Sequence, residues 1–419
     1  ILLNLWRNKA LNDTYEPGST FKVFTVSTAL EEGLVNDDST FTCGGSKRVK
    51  DKTIRCWKDG GHGTQVLKDT LANSCNVAMI DIGALIGTDM FRKYFEAYGF
   101  MDKTGIDLPG EATGIFFDNM GEVDLATASF GQNFQVTPLQ ELCMVSAVAN
   151  GGKLVTPHVV REIVDADGNI QQTMDTQVKR QVISKQISDK MNSYLENVVS
   201  QGTGQNAYVA GYRVGGKTAT SEKQPKSDKK LRIASFIGLA PMDEPQTDNK
   251  GGGAVAAPVV ARIFEDILPY LGVEAVYSDE EADRQEITVP TLTGQSVDDA
   301  KKALDELGVD YTVKGDGKKV TDQLPVAGIS VQPDNKIVLY CGEKKPTDKV
   351  KVPDVSGMSV ETARAELAQV GLYMKQNGIA SWRTSGASAA VQQSPAAGSE
   401  AARGSVVTVA FGNNVTSQE

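Results

Sequence analysis

The carboxy-terminal part of the chain contains an internal repeat, which restricts the fold more than any other sequence feature. The segment VPTLTGQSVDDAKKALDELGV begins at Val289, and VPDVSGMSVETARAELAQVGL begins 63 residues later at Val352. Valine, proline, glycine, alanine and leucine recur in register in the two segments. Each copy therefore predicts the same supersecondary unit, and this part of the chain forms two similar modules.

Each repeat has the pattern of a small α+β module. An extended entry leads to a turn at Gly294 or Gly357, then to a short amphipathic helix and to strands. Pro325 and Gly328 have counterparts 70 residues later, so the second copy has about seven extra residues in its SWRTSGASA segment. We expect modules at 287–344 and 349–413, a linker at 273–286, and one larger domain at 1–272.

The VPxxxGxxxxxAxxxL core of these repeats resembles PASTA modules, the small extracellular domains of bacterial penicillin-binding proteins and some cell-wall-sensing kinases. Binding of cell-wall fragments and a role as a spacer pair that binds nothing both stay open, because function lies in sites rather than folds. The segment GEKKPTDKVK between the modules is charged and is expected to be exposed.

Charge and composition exclude several classes of protein. The 419 residues include 53 acidic and 43 basic side chains, a formal net charge of −10. Nucleic acid is a poor partner for such a chain, because its binding needs concentrated lysine and arginine. The only histidines are His62 and His158, which leaves little material for a histidine-based triad.

The amino-terminal end gives an expectation about membrane attachment. The chain begins with Ile1 rather than methionine, and it has no run of about 18 apolar residues. We therefore expect any membrane anchor to lie before this sequence.

The segment EPGSTFKVFTVSTALEEG contains the first candidate for chemistry. A Pro-Gly turn precedes Ser19, which we expect to open a helix that ends near Gly33. Ser19 and Lys22 are three residues apart and lie on one helical face. A lysine held neutral by burial can take the proton of such a serine, although a capping serine beside a surface lysine has the same pattern.

Two further elements follow in a fixed order. LANSCNVAMI places Ser74 and Asn76 where one helical pattern ends and another begins. VGGKTATSEK places Lys217, Thr218 and Thr220 on a predicted strand that pairs with RIASFIGLAP. Residues 218 and 220 share a face of that strand.

Together, EPGSTFK, GHGTQ, SCN, SFGQNFQVTPLQ, GKTAT and AAPV resemble class B penicillin-binding proteins, the transpeptidases of bacterial cell-wall synthesis. With the PASTA-like pair, the arrangement is similar to septal or sporulation-specific members. The resemblance implies an α/β (α+β) fold, in which an antiparallel sheet lies between helical layers. It also implies no cofactor and no metal.

The resemblance implies a role for each motif residue in catalysis. Ser19 would attack the terminal D-alanyl-D-alanine bond of a stem peptide, with Lys22 as its general base. Ser74 would relay a proton to the leaving D-alanine, and Asn76 would hold the substrate amide. Lys217 would add positive charge that keeps Lys22 deprotonated.

Substrate binding would fall to the strand. Thr218 and Thr220 would bind the terminal carboxylate, and the backbone N–H groups of Ser19 and Thr220 would form an oxyanion hole, worth roughly 3 to 4 kcal/mol per donor. Ala219 stands where the family usually has glycine. Its methyl group either narrows the site or points away from the ligand, and alternation along a strand favours the second.

Two other features belong to the same domain. Asn133 replaces a common glycine, and the following Thr137, Pro138 and Gln140 predict a capped helix. The segment APMDEPQTDNKGGGAVAAPV is polar where a hydrophobic strand is expected, so either a loop and a strand are missing from this sequence or the sheet is one strand short.

The sequence GYRVGGKT from Gly211 to Thr218 also satisfies the phosphate-loop pattern GxxxxGK[ST]. A phosphate loop must open a helix, whereas TSEKQPKSDKK follows here with Pro225 and no apolar stripe. ATP hydrolysis is therefore a poor interpretation.

Cys43 and Cys56 bracket a turn-rich insert near His62. A disulfide, a metal site and reduced thiols are all open, although these residues supply at most three of four zinc ligands. The pattern predicts that Cys75 and Cys143 are small core or near-site residues and that Cys341 is structural.

The leading hypothesis is a peptidoglycan D,D-transpeptidase acylated by β-lactams. A D,D-carboxypeptidase, a β-lactamase, and an inactive penicillin sensor or division scaffold are alternatives. The resemblance implies peptidoglycan stem peptides, β-lactams, a glycan polymerase and division or sporulation proteins as partners. It also implies a single-pass membrane anchor and an extracytoplasmic catalytic domain.

Overall fold

The computed structural model describes residues 7–222, 231–242, 246–249, 256–278, 287–331, 336–346, 348–377 and 388–413. The chain divides into two compact units, Ile1–Ala275 and Val276–Glu419. The exact domain boundaries expected from the sequence stay a prediction. Among the described residues, no helix has both the length and the apolar character needed to cross a bilayer.

The first unit contains most of the helices. Its described α-helices are α1 (Lys9–Asn12), α2 (Lys22–Glu31), α3 (Leu67–Ala72), α4 (Asn76–Ala97), α5 (Glu122–Ala128), α6 (Pro138–Ala149), α7 (Lys185–Ser200) and α8 (Ala257–Tyr270). The predicted cap of α6 is confirmed: Thr137 Oγ1 accepts from Gln140 N at 3.1 Å, and Gln140 Oε1 accepts from Thr137 N at 3.0 Å.

Short antiparallel pairs surround these helices. They are β1 (Thr40–Cys43) with β4 (Gly63–Val66), β2 (Ser46–Val49) with β3 (Lys52–Arg55), β5 (Lys153–Thr156) with β8 (Gln177–Gln181), and β6 (Glu162–Val164) with β7 (Ile170–Thr173). The first two pairs build the insert that contains Cys43 and Cys56.

An antiparallel sheet lies beside the motif residues in the order β11-β10-β9, formed by β9 (Gly215–Glu222), β10 (Arg232–Ala240) and β11 (Gln246–Asn249). The predicted pairing of the Lys217 strand with RIASFIGLAP is confirmed, because Lys217 lies opposite Ile237. The expectation of a missing strand is wrong in part. Residues 246–249 pair with the end of β10, since backbone groups can complete a ladder whatever the side chains are. Residues 243–245 and 250–255 lie outside the described residues.

Phenylalanine side chains fill the core behind α2. The rings of Phe21 and Phe24 stack with centroids 4.5 Å apart, and Phe21 meets Phe134 edge-on at 4.7 Å. All three side chains are buried, as is Phe91, whose ring lies 5.0 Å from that of Phe24. Burial of such large apolar surfaces fixes α2 and the residues immediately before it.

The second unit consists of two modules with one topology. The elements of the first are β12 (Ile287–Thr288), α9 (Val297–Glu306), β13 (Tyr311–Lys314), β14 (Asp322–Leu324), β15 (Ser330–Val331) and β16 (Ile337–Tyr340); those of the second are β17 (Lys349–Lys351), α10 (Val360–Gln369), β18 (Tyr373–Asn377), β19 (Ser388–Ser394), β20 (Glu400–Ala402) and β21 (Val406–Asn413). The mixed sheets are β13-β16-β14 and β18-β21-β19.

Equivalent side chains satisfy equivalent backbone groups in the two modules. Ser296 caps α9 and Ser359 caps α10, each accepting from the backbone N–H three residues later. Gln323 accepts from Leu292 N at 2.8 Å, and Gln393 accepts from Val355 N at 2.9 Å. The repeat therefore predicted the modules correctly, although most of the SWRTSGASA segment lies outside the described residues.

Candidate active site

The turn that carries Ser19 differs from the sequence expectation. Ser19 lies in a 3-10 turn, Gly18–Phe21, that precedes α2, and no side chain caps that turn or α2. Ser19 is therefore not the N-cap of the helix. Pro17 already has right-handed helical dihedral angles and Gly18 has a φ angle of +64°, so neither takes the extended conformation of a side-chain N-cap.

A close approach between two glycines fixes this turn. Gly18 N donates to Gly131 O at 2.8 Å. A Cβ atom at Gly131 would lie 2.0 Å from Gly18 O, so only glycine permits the contact. The half-buried Ser19 is thereby held against the loop before α6.

Lys22 lies fully buried one turn after Ser19. Its Nζ donates to the carbonyl oxygen of Ser74 at 2.6 Å, to Ser74 Oγ at 3.1 Å and to Asn76 Oδ1 at 2.7 Å. Burial lowers the pKa of Lys22 to about 7, against an opposing electrostatic effect of Cys75 and Cys56. A neutral amine that can accept a proton is therefore available near neutral pH.

Lys217 reaches the same serine from β9. Its Nζ donates to Ser74 Oγ at 2.9 Å and to Thr218 O at 3.0 Å. Burial, followed by the charge of Lys22, holds the pKa of Lys217 well below its usual range. When both amines donate, the two lone pairs of Ser74 Oγ are occupied, and its own proton must point elsewhere.

Lys22, Ser74, Asn76 and Lys217 are called the lysine cluster below. The structure brings these predicted residues together from α2, from the turn between α3 and α4, from the first residue of α4, and from β9. Ser74 has a φ angle of +55°, a left-handed conformation that is unusual for a residue other than glycine. That conformation lets the side chains of Ser74 and Asn76 meet one lysine.

The remaining predicted residues follow Lys217 along β9, an edge strand of the described sheet. Thr218 is buried and its hydroxyl lies 3.0 Å from that of Thr203, while Thr220 is exposed. Ala219 is buried, and a Cβ atom built on Gly18 would lie 3.6 Å from its methyl group. The methyl group therefore packs beside the turn of Ser19. The strand also excludes a phosphate loop at Gly211–Thr218, since Lys217 opens no helix.

The sequence interpretation missed Thr203, which lies between α7 and β9. Its backbone N–H and hydroxyl both donate to Ala72 O, at 3.0 and 3.1 Å, and so connect β9 with the end of α3. The only sequence signal is a threonine between two glycines at the end of a helical pattern.

A buried acid behind the Ser19 turn was missed as well. Glu141 of α6 is fully buried and accepts a hydrogen bond from the hydroxyl of Tyr15. Burial raises the pKa of Glu141 to about 7, although interactions with Thr20 and Tyr15 oppose the change. An acidic residue within the apolar face of α6 was the available signal.

A second polar cluster lies beside the first. Ligand atoms of Cys43, Cys56, His62 and Cys75 all lie within 4.8 Å of one another. This set is called the thiol cluster below. Cys75, which the sequence suggested only as a core or near-site residue, supplies the fourth side chain. All three cysteines are buried free thiols in the structure.

The thiol cluster has the donor set of a structural zinc site. Three cysteines and one histidine form a common tetrahedral set, in which sulfur atoms 2.3 Å from the metal lie roughly 3.8 Å apart. A hydrogen bond from Cys75 lowers the pKa of Cys56 to about 3, so one thiolate is already favoured. His62 Nε2 is buried and has no partner among the described residues. These residues fit a zinc ion.

The comparisons with known proteins agree with this geometry. Residues 3–265 match the family described as the penicillin binding protein transpeptidase domain. Residues 287–343 and 350–413 each match the PASTA domain.

Relatives and solved structures extend the match. Stage V sporulation protein D of Bacillus subtilis (strain 168) is 43% identical over 363 residues, 81% of this chain and 55% of that protein. Penicillin-binding protein PbpB of Mycobacterium tuberculosis is 28% identical over 288 residues, 63% of this chain and 42% of that protein. The chain spans about half the length of these relatives.

The transpeptidase domain of Burkholderia pseudomallei penicillin-binding protein 3 aligns with a TM-score of 0.57 and 29% identity, over 65% of this chain and 84% of that one. Penicillin-binding protein 3 of Mycobacterium tuberculosis, solved with ampicillin, aligns with a TM-score of 0.58 and 26% identity, over 65% of this chain and 66% of that one. The chain therefore belongs to the penicillin-binding protein transpeptidase family and carries two PASTA domains.

Proposed function

We propose that this chain is a serine D,D-transpeptidase that cross-links peptidoglycan stem peptides and is acylated by β-lactams. One observation carries the proposal. Ser74 Oγ accepts hydrogen bonds from Lys22 at 3.1 Å and from Lys217 at 2.9 Å, and Lys22 lies one turn after Ser19. Two buried amines with lowered pKa values can move protons between a nucleophile and a leaving group without histidine.

In this proposal Ser19 attacks the carbonyl carbon of the penultimate D-alanine, and Lys22 takes the serine proton. Ser74 passes its proton to the departing D-alanine nitrogen and takes the proton that Lys22 holds, which breaks the peptide bond and leaves an acyl-Ser19 ester. An acceptor amine then attacks the ester and forms the cross-link, while the proton that this amine loses returns to Ser19 Oγ as the acyl bond breaks. The exposed Thr220 and the edge of β9, which pairs with no second strand within the described part of the chain, support substrate binding along the strand.

Location and partners are part of the proposal. The name of the sporulation relative supports a role in spore formation, and the PASTA domains support an extracytoplasmic location at the cell wall. We propose a membrane anchor outside this sequence, a glycan polymerase, and division or sporulation proteins as partners.

Intact-mass measurement after incubation with benzylpenicillin tests the proposal. We expect one adduct per chain, mapped to Ser19, and no adduct on Ser19→Ala. That variant should keep its free energy of unfolding within about 1 kcal/mol, because Ser19 is not part of the packed core. The exposed Ser193→Ala is the matched control. An adduct on another residue would contradict the assignment, and no adduct at all would indicate an inactive sensor or scaffold.

A further inference from the structure

Trp57 is a large exposed side chain that makes specific contacts with the Ser74 turn. Its relative exposure is 58%, which is high for a tryptophan in a folded domain. Its indole Nε1 nevertheless lies 3.1 Å from the carbonyl oxygen of Asn73 and 3.1 Å from that of Ser74. The indole N–H therefore donates to two consecutive carbonyl groups at the end of α3.

These carbonyl groups need a donor. Asn73 and Ser74 lie just beyond Ala72, the last residue of α3, and a backbone carbonyl group that is shielded from water needs a hydrogen-bond donor. The following Ser74 has a φ angle of +55°, a conformation that costs free energy for a residue with a Cβ atom. A contact that fixes this turn therefore bears directly on the direction of Ser74 Oγ.

The carbonyl oxygen of Ser74 is shared between Trp57 and the lysine cluster. Lys22 Nζ donates to that oxygen at 2.6 Å, and the indole donates to it as well. A carbonyl oxygen has two lone pairs, so these two donors can occupy both. Asn76 Nδ2 donates to Arg55 O at 3.4 Å. Residues 55–57 therefore contact both Ser74 and Asn76.

We propose that Trp57 is a positioning residue for acylation: its indole N–H holds the Ser74 turn so that Ser74 Oγ meets Lys22 and Lys217. The inference rests on the proposed role of Ser74 in proton transfer. Trp57 acts through the turn and takes no proton itself. Replacing its N–H by a group of similar size that cannot donate therefore slows acylation and leaves initial binding of the β-lactam unchanged.

A different role for Trp57 has to be separated from this one. Its ring lies 5.3 Å from that of His62 in an edge-on contact, so it also covers a member of the thiol cluster. Replacement by a smaller residue would change both contacts. An isosteric analogue that loses only the N–H changes the hydrogen bonds and keeps the ring.

The experiment uses the full chain with Trp6→Phe and Trp382→Phe, so that Trp57 is the remaining tryptophan. Trp57 is replaced biosynthetically by 3-benzothienylalanine, which has sulfur in place of the N–H, and in a control by 5-fluorotryptophan, which keeps the N–H. Stopped-flow acylation by a chromogenic cephalosporin gives the dissociation constant of the first complex and the acylation rate constant. Thiol titration monitors Cys43, Cys56 and Cys75.

We expect the benzothienyl protein to acylate about tenfold more slowly, with its dissociation constant changed less than twofold and its thiol reactivity unchanged. The fluorotryptophan protein should match the parent. An unchanged acylation rate constant, a change in binding alone, or a slow rate accompanied by altered thiol reactivity would each overturn the inference. Failure of the parent itself to form an acyl-Ser19 adduct would instead overturn the proposed function.

Discussion

The lysine cluster and the thiol cluster share one turn, yet the pKa shifts of Lys22 and Lys217 remove charge whereas that of Cys56 creates it. Ser74 and Asn76 bond with Lys22, while Cys75 between them belongs to the thiol cluster. In the lysine cluster burial lowers the pKa of each amine and so removes charge. In the thiol cluster a hydrogen bond from Cys75 lowers the pKa of Cys56 and so creates charge. The turn therefore lies between two amines whose pKa values are lowered and one thiolate, that of Cys56, which suits a cation.

The largest effect is expected from Lys22, the amine one turn after Ser19 in the chain. Lys22→Met keeps the length of the side chain and removes the base, so acylation by benzylpenicillin should slow about 10³-fold, roughly 4 kcal/mol. The dissociation constant of the first complex should change far less. Stopped-flow kinetics measure both, and Lys185→Met on the exposed face of α7 is the control. A loss below tenfold would show that another group is the base.

The pH dependence sharpens the same prediction. Because the pKa of Lys22 is about 7, the base form accumulates as pH rises through 7. Acylation should increase about tenfold per pH unit below pH 7 and level off above it. A profile that is flat between pH 5 and 8 in the parent would contradict the assignment of Lys22 as base.

Glu141 extends the comparison to a buried acid. Its folded pKa of about 7 lies above the ordinary value of 4.5, so folding takes up a proton and stability is lost as pH rises from 4.5 through 7. Above pH 7 the loss should reach roughly 3 kcal/mol. Glu141→Gln should remove most of this dependence in denaturant titrations at pH 5 and pH 8, whereas the exposed Glu122→Gln should retain it. Equal slopes in both variants would contradict the prediction.

The thiol cluster should bind zinc. We expect about one zinc ion per purified chain by elemental analysis, and its loss from Cys43→Ser but not from Cys341→Ser, a buried free cysteine of the second unit. Free zinc at 100 times its Kd would stabilise the parent by about 2.7 kcal/mol, or roughly 5–10 °C in Tm. Parent protein without zinc, or with a disulfide between two of these cysteines, would contradict the prediction.

The sequence predicted the two clusters unequally, for a physical reason. Acyl-serine chemistry requires particular side chains in a particular order, so the sequence could group Ser19, Lys22, Ser74 and Lys217 as a hypothesis, and the structure brings the last three into contact. A metal site requires only that ligands meet in space. Cys75 meets Cys43 and Cys56 because the insert folds back on itself, with β1 paired to β4 and β2 paired to β3. No spacing rule for a single helix or loop predicts that these three cysteines meet.

The fold shows the same contrast. The capped α6 and the two modules follow from local patterns, namely the Thr137 capping box and a repeat whose caps recur 63 residues apart. The 3-10 turn at Ser19 and the short strand Gln246–Asn249 depend on contacts with distant residues. Gly131 fixes the first and β10 pairs with the second, so neither has a clear local signal.

Ala219 gives the smallest expected effect and tests which side of the strand faces the cleft. Its methyl group is buried near Gly18, where a Cβ atom on that glycine would lie 3.6 Å away. Ala219→Gly removes that contact and adds backbone freedom at a strand position, which costs about 0.5–1 kcal/mol of stability. We therefore expect acylation by benzylpenicillin to slow by less than tenfold, below about 1.4 kcal/mol, because the turn is held less firmly while the cleft is unchanged. Stopped-flow kinetics with Ala234→Gly on β10 as the control measure the difference. An acceleration of about a hundredfold would instead place the methyl group in the path of the ligand. Ala219, rather than Thr218 and Thr220, would then lie on the face of β9 that borders the cleft.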